Sequence, residues 1–217
     1  MDDLSLLHAL SAFRTKAGAA RLRTLLRIAG TPEGAWNANE ALLEASGFTP
    51  EGRAAFAAHR DVWDVENEAR RLRESGIAVV AEDDIPPLLR NAYDPPLALF
   101  VRGELPREGV AVAMVGSRKA SPYGRSVTNV LVRPLAARGL TIVSGLAYGI
   151  DAEAHRGTLA VGGRTVAVLG SGVDDASLYP RAHRSLEAEI VARGGAVVSE
   201  FPPGTGARPE HFPQRNR

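Results

Sequence analysis

The chain has 217 residues, 45% of them hydrophobic and 24% charged, which is globular composition and enough length for one large domain or a small one joined to a medium one. It has no cysteine, which excludes disulfides, thiolate metal sites and cysteine nucleophiles. Its net charge is only +1, so a globally basic nucleic-acid binder is not indicated and any polyanion must be met by a local patch. No apolar run approaches the roughly 20 residues that cross a bilayer. Met1-Asp2-Asp3 is acidic where a secretory signal is basic, so a cytoplasmic location without membrane contact is expected.

From Leu4 to about Ser75, apolar residues recur at helical spacing: Leu22, Leu25, Leu26 and Ile28, then Ala41, Leu42 and Leu43, then Phe56, Val62 and Trp63. This predicts a compact all-helical domain over residues 1–75 with four or five short helices. Thr31 and Thr49, each followed by a proline, are the expected N-caps of two of them. The module carries a net charge of −1 and the remainder +2, so neither is a charged tail.

From Ile77 onward β-branched runs replace the helical period: Ile77 to Ala81, Leu97 to Val101, Val110 to Val115, Leu140 to Val143, Thr165 to Leu169 and Ala196 to Val198. The last four are nearly all apolar, as strands buried on both faces of a parallel sheet are. Helix-length stretches at 123–138, 150–160 and 181–193 alternate with them. Residues 76–217 therefore read as a Rossmann-like, doubly wound α/β domain with a mainly parallel sheet. Asp83 to Pro96, with four prolines, is expected to be an irregular strap leading into that sheet.

Each apolar strand runs into small polar or glycine residues: Gly116-Ser117-Arg118-Lys119, Ser144-Gly145, Gly170-Ser171-Gly172 and Ser199-Glu200. In an open α/β sheet, ligands bind outside the carboxyl ends of the strands, where loop N–H groups and helix N-termini converge. Glycine admits an anion close to the backbone and serine adds a hydroxyl, so these loops predict a phosphate-binding cleft, although a single such loop also suits a tight turn. The P-loop pattern is absent, and Asp175 stands where a dinucleotide fingerprint would place its third glycine. Arg118 and Lys119 supply local positive charge, Lys119 being one of only two lysines beside 24 arginines. Catalytic groupings are poor, because the five histidines lack metal spacing. Asp151 suits a helix cap better than a base, and His155, one turn on, suits a packing partner. No cofactor or metal is expected.

Val115-Gly116-Ser117-Arg118, Ser121-Pro122-Tyr123-Gly124, the run from Ser144 to His155, Val168 to Asp174, Tyr179-Pro180, Ser199 to Thr205 and Phe212-Pro213-Gln214-Arg215-Asn216-Arg217 together resemble the DNA-processing protein A family, also called Smf. Asp94-Pro95-Pro96 and Arg102-Gly103 are similar to it as well, and residues 1–75 resemble its SAM-like N-terminal module. The resemblance implies a protein of natural transformation and recombination that binds single-stranded DNA, loads the RecA recombinase onto it and acts without catalysis. It places single-stranded DNA at Gly116, Ser117, Arg118, Ser144, Gly145, Phe212, Arg215 and Asn216, beside the residues Lys119, Gly170, Ser171 and Gly172 read from the strand ends. Phe212 is then a platform for a base or, as many phenylalanines are, a core plug.

Family members continue past the last motif, so the resemblance also implies that this chain stops short of the family's homodimer contacts and much of its RecA surface. The terminal motif is expected to fray. The same fold serves phosphoribohydrolases resembling the LOG family and sensors of small signalling nucleotides. The former carry a PGGxGTxxE signature, whereas Pro202-Pro203-Gly204-Thr205 leads here to Arg208 where that acid would stand.

Overall fold

The computed structural model describes residues 2–92 and 94–216, without the side chains of residues 14–17; Tyr93 and the motif residue Arg217 lie outside the described residues. Six helices open the chain, where four or five were expected: α1 (Asp3–Ala17), α2 (Ala19–Ala29), α3 (Pro32–Trp36), α4 (Glu40–Ala45), α5 (Pro50–Val62) and α6 (Val65–Glu74). The extra division comes from caps. Thr31 accepts from Gly34 N at 3.0 Å, Asn39 from Leu42 N at 2.9 Å, Thr49 from Gly52 N at 3.1 Å and Asp64 from Asn67 N at 3.0 Å. Each satisfies an N–H that the first helical turn leaves without a partner.

Leu6, Leu10, Phe13, Leu22, Leu25, Trp36, Phe48 and Phe56 close a core inside these helices. Leu97 of the later chain joins this core, and side chains link it to the rest. Arg23 pairs with Asp94 of the proline strap at 2.8 Å, and His8 lies edge-on to Trp63 and to Phe100, with ring centroids 5.2 and 5.3 Å away.

The sheet has strands β1 (Ala78–Ala81), β2 (Ala98–Gly103), β3 (Ala111–Ala113), β4 (Thr141–Ser144), β5 (Thr165–Val168) and β6 (Ala196–Ser199), in the order β1-β2-β6-β5-β4-β3. The pairs β3–β4, β4–β5 and β5–β6 are parallel, and β2 is antiparallel to both β1 and β6. This is a mixed α/β fold with a six-stranded, mostly parallel sheet. The strap between β1 and β2 holds a 3-10 turn (Glu82–Asp84) and a short helix, α7 (Pro87–Arg90).

Helices α8 (Pro122–Ala137), α9 (Ile150–Leu159) and α10 (Arg184–Ala192) make the crossovers. The strands β3, β4, β5 and β6 step across the sheet in one direction, and crossovers of one hand then fall on one side. Accordingly α8 and α9 cover Ile142, while α9 and α10 cover Ala167, Val197 and Phe100. The opposite face, with Leu99, Val101, Val166 and Val198, packs among the described residues against Ile85, Leu89 and Leu105. The crossover helices thus lie on one face, and among the described residues the short α7, through Leu89, packs on the other. Nor is β3 the buried strand its composition predicts: among the described residues it has a neighbouring strand on one side, and Ala111 and Ala113 are exposed. Where fraying is expected, α11 (His211–Arg215) forms a short helix across the strand ends.

Candidate functional site

The carboxyl ends of the parallel strands open onto a cleft of about 1000 Å³ that runs along the uncovered sheet face; Gly116, Arg118, Glu200, Phe212 and Asn216 stand on its wall. Gly116, Ser117, Arg118 and Lys119 are exposed in the loop after β3. That loop is held from below. The carbonyl of Ser117 accepts from Ile150 N at 3.1 Å, and its hydroxyl oxygen accepts from Lys119 N at 3.1 Å. Gly149, with φ of 78°, sits so close that a Cβ there would overlap the Ser117 carbonyl, which makes glycine a requirement of this contact.

The other strand ends are interior. Ser144 donates its hydroxyl to Met114 O at 2.6 Å, and Gly145 N donates to Asp151 Oδ2 at 3.1 Å. Arg215 Nη1 donates to the carbonyls of Gly145 at 2.9 Å and Val168 at 3.3 Å. Ser171 turns its hydroxyl to the Gly172 carbonyl at 3.2 Å, and Gly172 N donates to Thr205 O at 2.8 Å. Gly170 lies under the Phe212 ring, and His211 Nδ1 donates to its carbonyl at 3.1 Å. Ser144, Gly145, Gly170, Ser171 and Gly172 are all buried. This corrects the expectation that every strand-end loop offers donors to an anion: the donors named here are spent within the protein, and these five residues frame the site.

Asp151 differs from its expected role too. Gly149 holds the N-cap position of α9 without a side-chain cap, and the buried Asp151 carboxylate takes the Gly145 N–H instead. Burial lowers the pKa of Arg215, partly offset by the charge of Asp151; the guanidinium remains a cation at neutral pH. Asp175, in the place of the missing glycine, pairs with Arg102 Nη1 at 2.7 Å, and this hydrogen bond lowers its pKa. The loop after β5 is thereby latched to β2. Glu187 lies 3.4 Å from the same guanidinium, and its burial raises its pKa.

Phe212 is half-buried, with the guanidinium carbon of Arg118 5.1 Å from its ring centroid and that of Arg215 5.9 Å away. Both are cation–π distances. The ring is therefore a wall of the site, with the exposed Arg118 and the half-buried Arg215 both within cation–π reach of it.

Sequence reasoning missed three residues here. Tyr148 and Tyr179 line the same concavity as Arg118 and Phe212, and His183 is buried beside them, with Nδ1 donating to the Leu146 carbonyl at 2.7 Å. Leu146 is a non-glycine residue with φ of 56°, a conformation that needs such support. A large aromatic at Tyr148, between Ala147 and Gly149, was the available signal.

His155, expected to pack, is fully buried. Thr165 Oγ1 gives its proton to Ile142 O at 2.7 Å, so His155 Nδ1 must donate to that oxygen, also at 2.7 Å. Nε2 is left unprotonated and has no partner among the described residues. Burial first, then His183 and Arg156, push its pKa down to about 3.

Residues 76–217 match the sequence model of the family described as DNA recombination-mediator protein A. The chain is 46% identical over 133 residues to Protein Smf of Escherichia coli (strain K12), covering 61% of this chain and 35% of that protein. It thus spans well under half of that relative's length. The fold is similar to the X-ray structure of DNA processing protein A from Streptococcus pneumoniae, with a TM-score of 0.75 and 28% identity, covering 95% of this chain and 71% of that one. DNA processing protein A from Helicobacter pylori, studied for its single-stranded DNA binding mode, is similar with a TM-score of 0.57 and 27% identity, covering 64% of this chain and 62% of that one. Among the described residues no helix is long and apolar enough to cross a membrane.

Proposed function

Because the chain belongs to the DNA recombination-mediator protein A family, we propose that it binds single-stranded DNA at the strand-end cleft and acts in DNA processing during recombination. The observation that carries this reading is the placement of the exposed Arg118 guanidinium over the half-buried Phe212 ring. A cation for a phosphate beside a ring for an unstacked base matches the repeating unit of a single strand. In a duplex the bases are stacked on each other and cannot reach the ring without unpairing.

Gly116, Ser117, Lys119 and Asn216 would complete the exposed rim around this pair. Loading of RecA recombinase, a part in natural transformation and, for the full-length protein, a homodimer belong to the same proposal. So does the division into a helical unit, residues 1–75, and a DNA-binding unit, residues 76–217; the helical core supports it by drawing its buried residues from one stretch, Leu97 excepted.

The test is competition for a labelled single-stranded oligonucleotide by unlabelled single strand, duplex and nucleoside monophosphates. Single strand should displace the label at the lowest concentration. Equal displacement by duplex would overturn the reading, and displacement by a monophosphate alone would point to a nucleotide-binding enzyme or sensor.

A further inference from the structure

We infer that the outer surface of α8 and α9, through Arg125, Arg133 and Arg156, is a second nucleic-acid contact, which carries the sugar-phosphate backbone of a single strand onward from the strand-end cleft. This rests on the single-strand reading above and extends it to residues outside the cleft. Residues 117–164 hold seven basic and two acidic residues, a net charge of +5 in a chain whose total is +1. Both acids are spent within the protein: Asp151 is buried on the Gly145 N–H, and the half-buried Glu153 accepts from the Asn129 amide. The local patch that a polyanion requires of a nearly neutral chain therefore lies here.

Both helices begin at the loop after β3 and run away from it. Ser121 caps α8, and Ile150 N at the start of α9 donates to the Ser117 carbonyl. Arg125, in the first turn of α8, donates to the Ala120 carbonyl at 2.6 Å, next to the loop that carries Arg118 and Lys119. Asn129 and Arg133 follow on the same face at four-residue steps, with Arg133 Nε donating to Asn129 Oδ1 at 3.0 Å. Arg133 thus lies about 12 Å further along the helix than Arg125. α9 comes in close at Gly157, where a Cβ would overlap Asn129 Oδ1, and Arg156 precedes that contact. All three arginines are exposed, and among the described residues none pairs with a carboxylate. Helix stability does not explain Arg125: a helix N-terminus favours acidic residues, yet the first turn of α8 has none. A phosphate at that end would meet both the guanidinium and the helix dipole. Nor does any of the three lie over an aromatic ring among the described residues, so they suit phosphates rather than bases.

The experiment compares a short oligothymidylate of about six nucleotides, enough to fill one cleft, with the same oligonucleotide extended by an abasic sugar-phosphate chain of about ten units. The extended probe should bind more tightly, with a steeper fall of log K against log salt. An Arg125→Ala, Arg133→Ala, Arg156→Ala variant should lose that gain and flatten the extended probe's salt slope by about 2, three single-strand phosphate contacts at about 0.7 each. Its affinity for the short probe should hold. Replacing all three by lysine keeps the charges and should keep the gain. Thermal unfolding checks each variant, and if the triple alanine variant does not fold, the single variants are compared, each expected to flatten the slope by about 0.7. No gain from the extension in the unaltered protein, or an undiminished gain in folded alanine variants, overturns the backbone contact and leaves the cleft reading standing. A larger gain from a duplex extension than from a single-stranded one overturns its assignment to a single strand. No binding of either probe by the unaltered protein overturns both this contact and the single-strand reading.

Discussion

Arg215 donates from Nη1 to the carbonyl of Gly145 at 2.9 Å, across a sequence separation of 70 residues. The approach is possible because Gly145 has no Cβ, which would overlap the guanidinium. An arginine that sequence reading assigns to DNA thus spends a donor on the protein, stapling α11 and its Phe212 to the ends of β4 and β5. Arg215→Ala should therefore lower stability by about 1–3 kcal/mol, the range for buried acceptors that lose a charged donor, and weaken DNA binding by releasing Phe212. Arg215→Lys should recover part of both. Denaturant midpoints and oligonucleotide titration on the same samples check this.

Arg118 is exposed in its loop, so Arg118→Ala should leave stability within about 0.5 kcal/mol of the unaltered protein while weakening single-strand binding. The dependence of log K on log salt should flatten by about 0.7, the contribution of one phosphate contact on a single strand. Lys119→Ala should do less, since no ring partner positions it among the described contacts. Titrations at several salt concentrations give both numbers, and a large fall in unfolding temperature with unchanged affinity would make Arg118 a structural residue.

Gly149 touches no proposed ligand, yet Gly149→Ala should affect binding. Its φ of 78° and the overlap of a Cβ with the Ser117 carbonyl add strain of order 1–3 kcal/mol. The strain is relieved by moving the loop from Gly116 to Lys119 off α9. Lower stability together with weaker DNA binding is expected, measured by unfolding and by titration.

Stability should fall in mild acid. His155 is held neutral in the folded protein with a pKa of about 3, and His8 with one of about 4, against an ordinary value of 6.5. The unfolded chain binds protons below pH 6.5 that the folded one refuses, so stability is complete above that pH and declines as pH falls toward 4 and 3. Between pH 6.5 and 5 the loss is about 2 kcal/mol for each histidine at 1.36 kcal/mol per pH unit. Glu187, its pKa raised by burial, acts in the opposite direction. His155→Asn, which keeps an N–H for Thr165 and does not titrate, should remove its share of the slope when denaturant midpoints are compared across this range.

All six strands, the caps at Thr31 and Thr49 and the gathering of the Gly116 loop with the Ser144 loop were legible in the sequence, because period and capping chemistry are local. A run such as Val166-Ala167-Val168 reports two apolar faces without reporting what covers them. Only the tertiary structure places β2 beside β6, sets α8, α9 and α10 on one face and leaves Val166 and Val198 toward the cleft. The same limit applies to the site. Ser144, Gly145 and Ser171 have the composition of phosphate loops, but whether a backbone N–H faces a ligand or the Asp151 carboxylate depends on groups brought in from other segments. Tyr148, Tyr179 and Phe212 likewise meet only because three loops end at one rim, a proximity set by the order and register of the strands that carry them.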